Sequence, residues 1–260
     1  MKNKWFAGML STLLMGSLLL TACGGSTENT GTPEPAQEEF HYAMSGLYKP
    51  FNFKEGGELT GFDVEIGQAL AEKMGMKPVP VTNPWETLIQ GLVSNKYHAI
   101  IGSMTVTEER LKTVNFTNPY YRSGAQVFVS EANQDIQTAE DLKGKTIGVV
   151  KASTYKDLAT QYTDKIVEYD SDLTALMDLP TGRLDAVITD QMVGFRVIKE
   201  EAVKIKDVGQ PLTHDNQAIA VRKEDEELLN KLNQALDEII KDGTYDQISK
   251  KWFGRNILGE

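Results

Sequence analysis

Polar side chains stand where the sequence turns from strand to helix, and among them a guanidinium beside small hydroxyl donors suits recognition of a carboxylate. In Ile100-Ile101-Gly102-Ser103-Met104-Thr105-Val106-Thr107-Glu108-Glu109-Arg110 a buried strand passes through small hydroxyl residues into a helix start, with Thr107 as its N-cap and Arg110 in its first turn. Ligands of open α/β sheets bind at the carboxyl ends of strands, where backbone N–H groups and helix starts converge. A guanidinium beside hydroxyl donors grips a carboxylate through two parallel hydrogen bonds. The same local pattern also suits a surface pair between Arg110 and Glu108. A second such place is the strand Thr146–Val150, followed by Lys151-Ala152-Ser153-Thr154-Tyr155, a small-residue turn whose N–H groups suit an anion. A third is Asp185-Ala186-Val187-Ile188-Thr189-Asp190, a strand that ends in a carboxylate. From local sequence Asp190 reads either as a polar group at a ligand-binding strand end or as the N-cap of the next helix.

Catalytic signatures are missing. The chain holds no G-x-S-x-G, H-E-x-x-H, P-loop or G-x-G-x-x-G pattern. Of its three histidines, His41, His98 and His214, two lie in or beside apparent strands and read as structural. Cys23 is the only cysteine, so no intramolecular disulfide and no Cys/His metal cluster is expected. No cofactor is expected either. The remaining carboxylates scatter over helix faces as solvated charge.

The elements that would position these residues begin well after the N-terminus. Residues 1–23 combine Lys2 and Lys4 with an interrupted apolar core from Phe6 to Leu20 and end in Leu20-Thr21-Ala22-Cys23. This is the layout of a secretory signal, too short and broken to span a bilayer comfortably. Leu-Thr-Ala-Cys resembles a bacterial lipobox, in which the cysteine is lipidated and becomes the first mature residue. Residues 23–38 are rich in Gly, Ser, Thr, Pro and Glu and lack large apolar side chains, so they read as a flexible leash. The full chain carries a net charge of −10, and loss of residues 1–22 takes two lysines and no acid, giving −12. That balance argues against nucleic acid and against docking on anionic lipid.

From Phe40 onward short apolar runs alternate with helical patterns. Strands are expected at 41–44, 78–82, 98–103, 126–130, 146–150, 166–169 and 185–189. Helices are expected at Phe62–Met74, stopped by Gly75, and over Trp85–Val93. The clearest helix carries Leu228, Leu229, Leu232, Ala235, Leu236, Ile239 and Ile240 at spacings of three and four, and a shorter one runs from Thr244 to Trp252. Strands alternating with helices indicate an α/β fold with largely parallel sheets.

Several segments, in this order, resemble the family 3 extracellular solute-binding proteins: Tyr48-Lys49-Pro50-Phe51-Asn52-Phe53, Leu59-Thr60-Gly61-Phe62-Asp63-Val64-Glu65, Thr105 to Arg110, and Val114 to Tyr121. Asp141 to Val149, Asp242-Gly243-Thr244-Tyr245 and Lys250-Lys251-Trp252-Phe253-Gly254 continue the likeness. The resemblance implies an α/β, two-lobed periplasmic-binding-protein-like fold of type II, with two hinge strands and a ligand cleft between the lobes. Lobe one would comprise residues 38–122 and 217–260, and lobe two residues 123–216. Hinges would fall near Arg122–Ala125 and His214–Gln217.

In the family pattern Arg110 matches the arginine that binds the ligand α-carboxylate, with Ser103, Thr105 and Thr154 as further donors. Asp190 matches the acid that accepts the α-ammonium, and Tyr48 and Trp85 match aromatics that cover the side chain. Arg110 and Asp190 are expected to face solvent between the lobes rather than to hold the fold. Ser45 stands where binders of cationic side chains often carry an acid, which argues against lysine or arginine. Tyr155 narrows the side-chain pocket, and Lys151 lies within reach of the cleft. The implied ligand is a polar amino acid with a neutral side chain, such as glutamine or cystine. The implied protein is no enzyme but a monomeric component of an ABC importer, held by lipid on Cys23 at the outer face of a bacterial, Gram-positive cell membrane and serving a permease. An alternative from the enzyme class is a dehydratase or related lyase on the same fold, with Glu86 as its acid. A third, a receptor or channel ectodomain, lacks the transmembrane helix it would need after Cys23.

Overall fold

The computed structural model describes residues 37–259. The signal segment, Cys23 and all but the end of the leash lie outside them. Two large sheets covered by helices organise the described chain, and a third, three-stranded sheet is formed by Leu47–Tyr48, Asn52–Glu55 and Glu58–Thr60.

The first sheet is ordered Lys77–Thr82, Glu39–Met44, Ala99–Thr105, Asp215–Arg222, Val114–Phe116, and Tyr121–Ser123 also pairs with the Asp215–Arg222 strand. Ala99–Thr105 is buried along its whole length, as a central strand covered on both faces must be. The helix Phe62–Lys73 lays Phe62, Val64, Ile66 and Leu70 on this sheet, and the Tyr42 hydroxyl donates to the Val64 carbonyl at 2.9 Å. Leu232, Ala235, Leu236 and Ile239 of the helix Glu226–Lys241 form the buried stripe that their spacing predicts.

The second sheet is ordered Ile166–Tyr169, Ile147–Val150, Ala186–Asp190, Ala125–Ser130, Ile205–Val208. Val127, Val129, Ile147, Val149, Ala186 and Ile188 feed one core, while Phe128 and Val187 face the helices on the other side.

The sheets are mixed rather than largely parallel. Strand–helix–strand units pair in parallel in both, but Asp215–Arg222 runs antiparallel to Ala99–Thr105, and Ala125–Ser130 runs antiparallel to Ala186–Asp190. These reversed strands adjoin the crossings between the sheets. At the crossing Ser123 pairs with Asp215, the Ala125 N–H donates to Thr213 Oγ1 at 2.9 Å, and the Leu212 N–H donates to the Ala125 carbonyl at 2.7 Å. Gly124 sits between, and a Cβ there would stand 2.1 Å from the Thr213 carbonyl oxygen, so only glycine lets the two crossing segments approach this closely.

Candidate functional site

A cavity opens between the two sheets at the carboxyl ends of their central strands. Its first wall comes from Ser45, Leu47, Tyr48, Trp85, Gly102, Ser103, Thr105 and Arg110, and its second from Val150, Ser153, Thr154, Tyr155, Asp170 and Asp172. Six of the seven ligand contacts expected from sequence therefore share one cavity. The seventh, Asp190, is not on its wall.

Arg110 is presented by a four-residue helix whose N-cap, Thr107, accepts the Arg110 N–H at 3.1 Å. Its Nη1 donates to the Thr105 carbonyl at 2.8 Å, and its guanidinium lies 5.5 Å from the Trp85 ring centroid. Glu108, the surface partner that the local sequence allowed, makes no ion pair with it. Among the described residues no carboxylate lies within ion-pair distance of Arg110. Burial pulls its pKa down from the usual guanidinium value, with Tyr155, Asp157 and Asp215 acting the other way, and the group stays a cation.

Ser103 is held in the left-handed region at φ 59. Its N–H donates to the Tyr120 hydroxyl at 2.8 Å and its Oγ donates to Asp63 Oδ2 at 2.9 Å. Asp63 is fully buried and accepts also from Asn52 Nδ2 at 2.6 Å and the Tyr120 hydroxyl at 2.7 Å. Burial pushes its pKa up to about 6 against the pull of these hydrogen bonds. The Ser103 proton is thus spent on a buried carboxylate, leaving lone pairs on Oγ toward the cavity. Non-glycine residues in this conformation cluster at ligand sites, and Ala152, on the opposite wall's turn, is a second at φ 50. The Ala152 carbonyl accepts the Trp85 indole N–H at 3.3 Å.

Asp190 is fully buried, contrary to the expectation that it faces solvent. Its Oδ1 accepts from Ser123 Oγ and from the Met192 N–H, each at 2.7 Å, so it is the N-cap of the helix Gln191–Lys199. Its Oδ2 faces the Tyr155 hydroxyl at 3.4 Å. Burial pushes its pKa up to about 7, and Asp215 and Asp172 add to the rise. Tyr155, on the cavity wall, stands between the cavity and this carboxylate.

Asp172 is the acid the sequence left unremarked. It begins the helix Asp172–Asp178, reads locally as ordinary first-turn charge, and yet is 5 % exposed and on the cavity wall. Thr189 Oγ1 donates to its Oδ1, and burial pushes its pKa up to about 6.

Ser45 is engaged locally: its Oγ donates to Asn52 Oδ1 at 3.0 Å and accepts the Leu47 N–H at 3.3 Å. Lys151 is ion-paired with Asp170. Glu86 is exposed and lines an outer hollow with Lys54, Asn83 and Asp170 rather than the cavity of Arg110. Tyr48 stacks on Phe51 at 5.1 Å, which fixes its ring against the wall.

Two α/β lobes with a polar cavity between the carboxyl ends of their strands, one free guanidinium and a lobe-spanning aromatic define a solute-binding protein. The chain belongs to the bacterial extracellular solute-binding proteins, family 3, whose family model matches residues 40–255. It is 35% identical over 264 residues to the probable amino-acid-binding protein YxeM of Bacillus subtilis (strain 168), covering 99% of this chain and 98% of that one. It is 34% identical over 218 residues to the L-cystine-binding protein TcyJ of Escherichia coli (strain K12), covering 82% of each. The structure of an ancestral arginine-binding protein bound to glutamine superposes with a TM-score of 0.79 at 38% identity, over 84% of this chain and 99% of that one. These relatives are named as binding proteins, and the chain is a binding protein, not an enzyme. Its family is extracellular.

Proposed function

We propose that the protein captures a polar amino acid with a neutral side chain, such as glutamine or cystine, and delivers it to the permease of an ABC importer. The observation that carries this reading is Arg110, a half-buried guanidinium that faces the inter-lobe cavity with no acid of its own. An α-carboxylate is the natural partner for that fork, with the Thr105 and Thr154 hydroxyls as further donors; Ser103, whose Oγ and N–H both donate within its own lobe, shapes the wall beside them. Asp190 supplies negative charge on the other lobe for the α-ammonium, and Tyr48 and Trp85 cover the side chain.

A zwitterion held from both lobes binds the closed form better than the open one, and that difference in affinity drives hinge closure. Micromolar binding needs about 8 kcal/mol. Charge-assisted hydrogen bonds at about 1.5–3 kcal/mol each, with aromatic contact, reach it before ordering costs are subtracted.

The lobes divide near 122–125 and 214–217, where the two crossing strands meet. Ser45, engaged with Asn52, offers no charge for a cationic side chain, which favours a neutral one. The protein works as a monomer outside the cytoplasm, tethered by lipid on Cys23 through the leash of residues 23–38. A thermal-shift screen of residues 24–260 against the proteinogenic amino acids and L-cystine tests this reading. A true ligand at a hundred times its dissociation constant adds about 2.7 kcal/mol, and no shift with any of them would reject it.

A further inference from the structure

We propose that the ligand is a molecule with two amino-acid ends joined by an apolar bridge, as in L-cystine, and that its far end sits in the outer hollow against Lys54 and Glu86. This rests on the reading above, in which an amino-acid head occupies the cavity of Arg110. Within that reading it selects a two-ended ligand over a short one such as glutamine.

The cavity of Arg110 and the outer hollow adjoin. Ser45, Leu47, Trp85 and Asp170 line both. The inner space is small, about 40 Å³, and the outer one about 450 Å³. A ligand longer than the inner cavity therefore continues past Leu47 and Trp85 into the outer hollow.

The passage between the two is apolar. Leu47 is 54 % exposed, and the Trp85 indole is held in place by the Ala152 carbonyl at 3.3 Å. A leucine this open gains from an apolar group laid against it. Two methylenes joined by a disulfide meet that requirement, having no strong hydrogen-bonding group to satisfy.

Beyond the passage the lining carries both signs of charge. Lys54 projects from the strand Asn52–Glu55 of the three-stranded sheet, and Glu86 from the turn Trp85–Thr87. Both are exposed, and among the described residues neither has an opposite charge within ion-pair distance. Asp170, the other acid of the hollow, is already paired with Lys151. One unpaired cation and one unpaired acid complement a second carboxylate and a second ammonium. Glutamine brings no charge to match either.

Calorimetry on residues 24–260 tests this with L-cystine, L-glutamine and three mixed disulfides of L-cysteine. The disulfide with 3-mercaptopropionate keeps only the far carboxylate, that with cysteamine only the far ammonium, and that with ethanethiol neither. Each far charge should add about 3- to 5-fold in affinity, the upper range for solvent-accessible ion pairs, so cystine should bind about 10-fold more tightly than the ethanethiol disulfide. Lys54→Ala should weaken cystine and the mercaptopropionate disulfide by about 3- to 5-fold and leave the other two disulfides unchanged. Glu86→Gln should weaken cystine and the cysteamine disulfide instead. Thermal melts of both variants should match the unaltered protein, since both side chains are exposed. Equal binding of cystine and the ethanethiol disulfide, variants that weaken every compound alike, or glutamine binding more tightly than cystine would each overturn the two-ended ligand and leave the amino-acid head in place. If none of the five compounds binds, the amino-acid reading itself falls, and this one with it.

Discussion

The indole N–H of Trp85 donates to the carbonyl of Ala152 at 3.3 Å, so one side chain from the first lobe is latched to the strand–helix turn of the second. The same ring carries the Arg110 guanidinium at 5.5 Å from its centroid. Lobe closure and the placing of the carboxylate-binding cation therefore share one residue.

Trp85→Ala should weaken amino-acid binding by about 1–3 kcal/mol, through loss of the aromatic contact and of the inter-lobe hydrogen bond. Trp85→Phe keeps the ring and should recover most of it. Ligand addition should change the intrinsic fluorescence of the unaltered protein and not that of Trp85→Ala. A normal affinity in Trp85→Ala would make the indole mere wall packing.

Arg110→Ala should reduce binding by about 2–5 kcal/mol and leave the melting temperature nearly unchanged, since no acid depends on it. Asp190→Ala should differ. It removes a helix N-cap and the partner of Ser123, so it should lose about 0.5–2 kcal/mol of stability besides weakening the ligand. Calorimetric binding paired with thermal melts separates the two patterns.

The buried acids give a pH signature. Asp63 and Asp172 are pushed up to about 6 and Asp190 to about 7, from an ordinary 3.8. The folded state then binds more protons than the unfolded one between these limits, so this contribution to stability is full below pH 4 and falls away as pH rises through 7. Asp190→Asn should flatten the decline. A ligand ammonium favours the ionised acids, so binding near pH 6.5 should release protons and strengthen as pH rises toward 8. Calorimetry in buffers of different ionisation heat measures that release, and proton uptake would contradict it.

The anchor is testable apart from the cleft. Cys23→Ser should move the protein from the membrane fraction to the soluble one with ligand affinity unchanged, and retention of the variant in the membrane would reject the lipobox.

Local chemistry made much of this molecule legible. Alternation and heptad-like spacing place the central strands and the helix Glu226–Lys241, and small hydroxyl residues after Ile100–Ile101 mark the strand end that becomes the cavity wall. The antiparallel strands at Ile205–Val208 and Asp215–Arg222 were not legible, because their pairing is set by the crossing between lobes and not by their own pattern. Burial also escaped the sequence. Asp190 shows the same letters whether it faces a ligand or caps a helix, and the fold gives it the cap. Asp172 resembles any first-turn acid, and only the packing of its helix against Leu47–Tyr48 brings it to the wall. Asp63 lies within a recognisable segment, yet its role as a buried acceptor for Asn52, Ser103 and Tyr120 needs three distant residues at once.

A cavity that holds a free amino acid from both lobes must read both of its charges. Isothermal titration of the unaltered protein with the best-binding amino acid, its α-carboxamide and its N-acetyl derivative tests it most directly. Both derivatives should bind at least about 30-fold more weakly, because each strips a charge from a partner that stays buried in the cleft. Equal affinity for the free and the blocked compounds would contradict it.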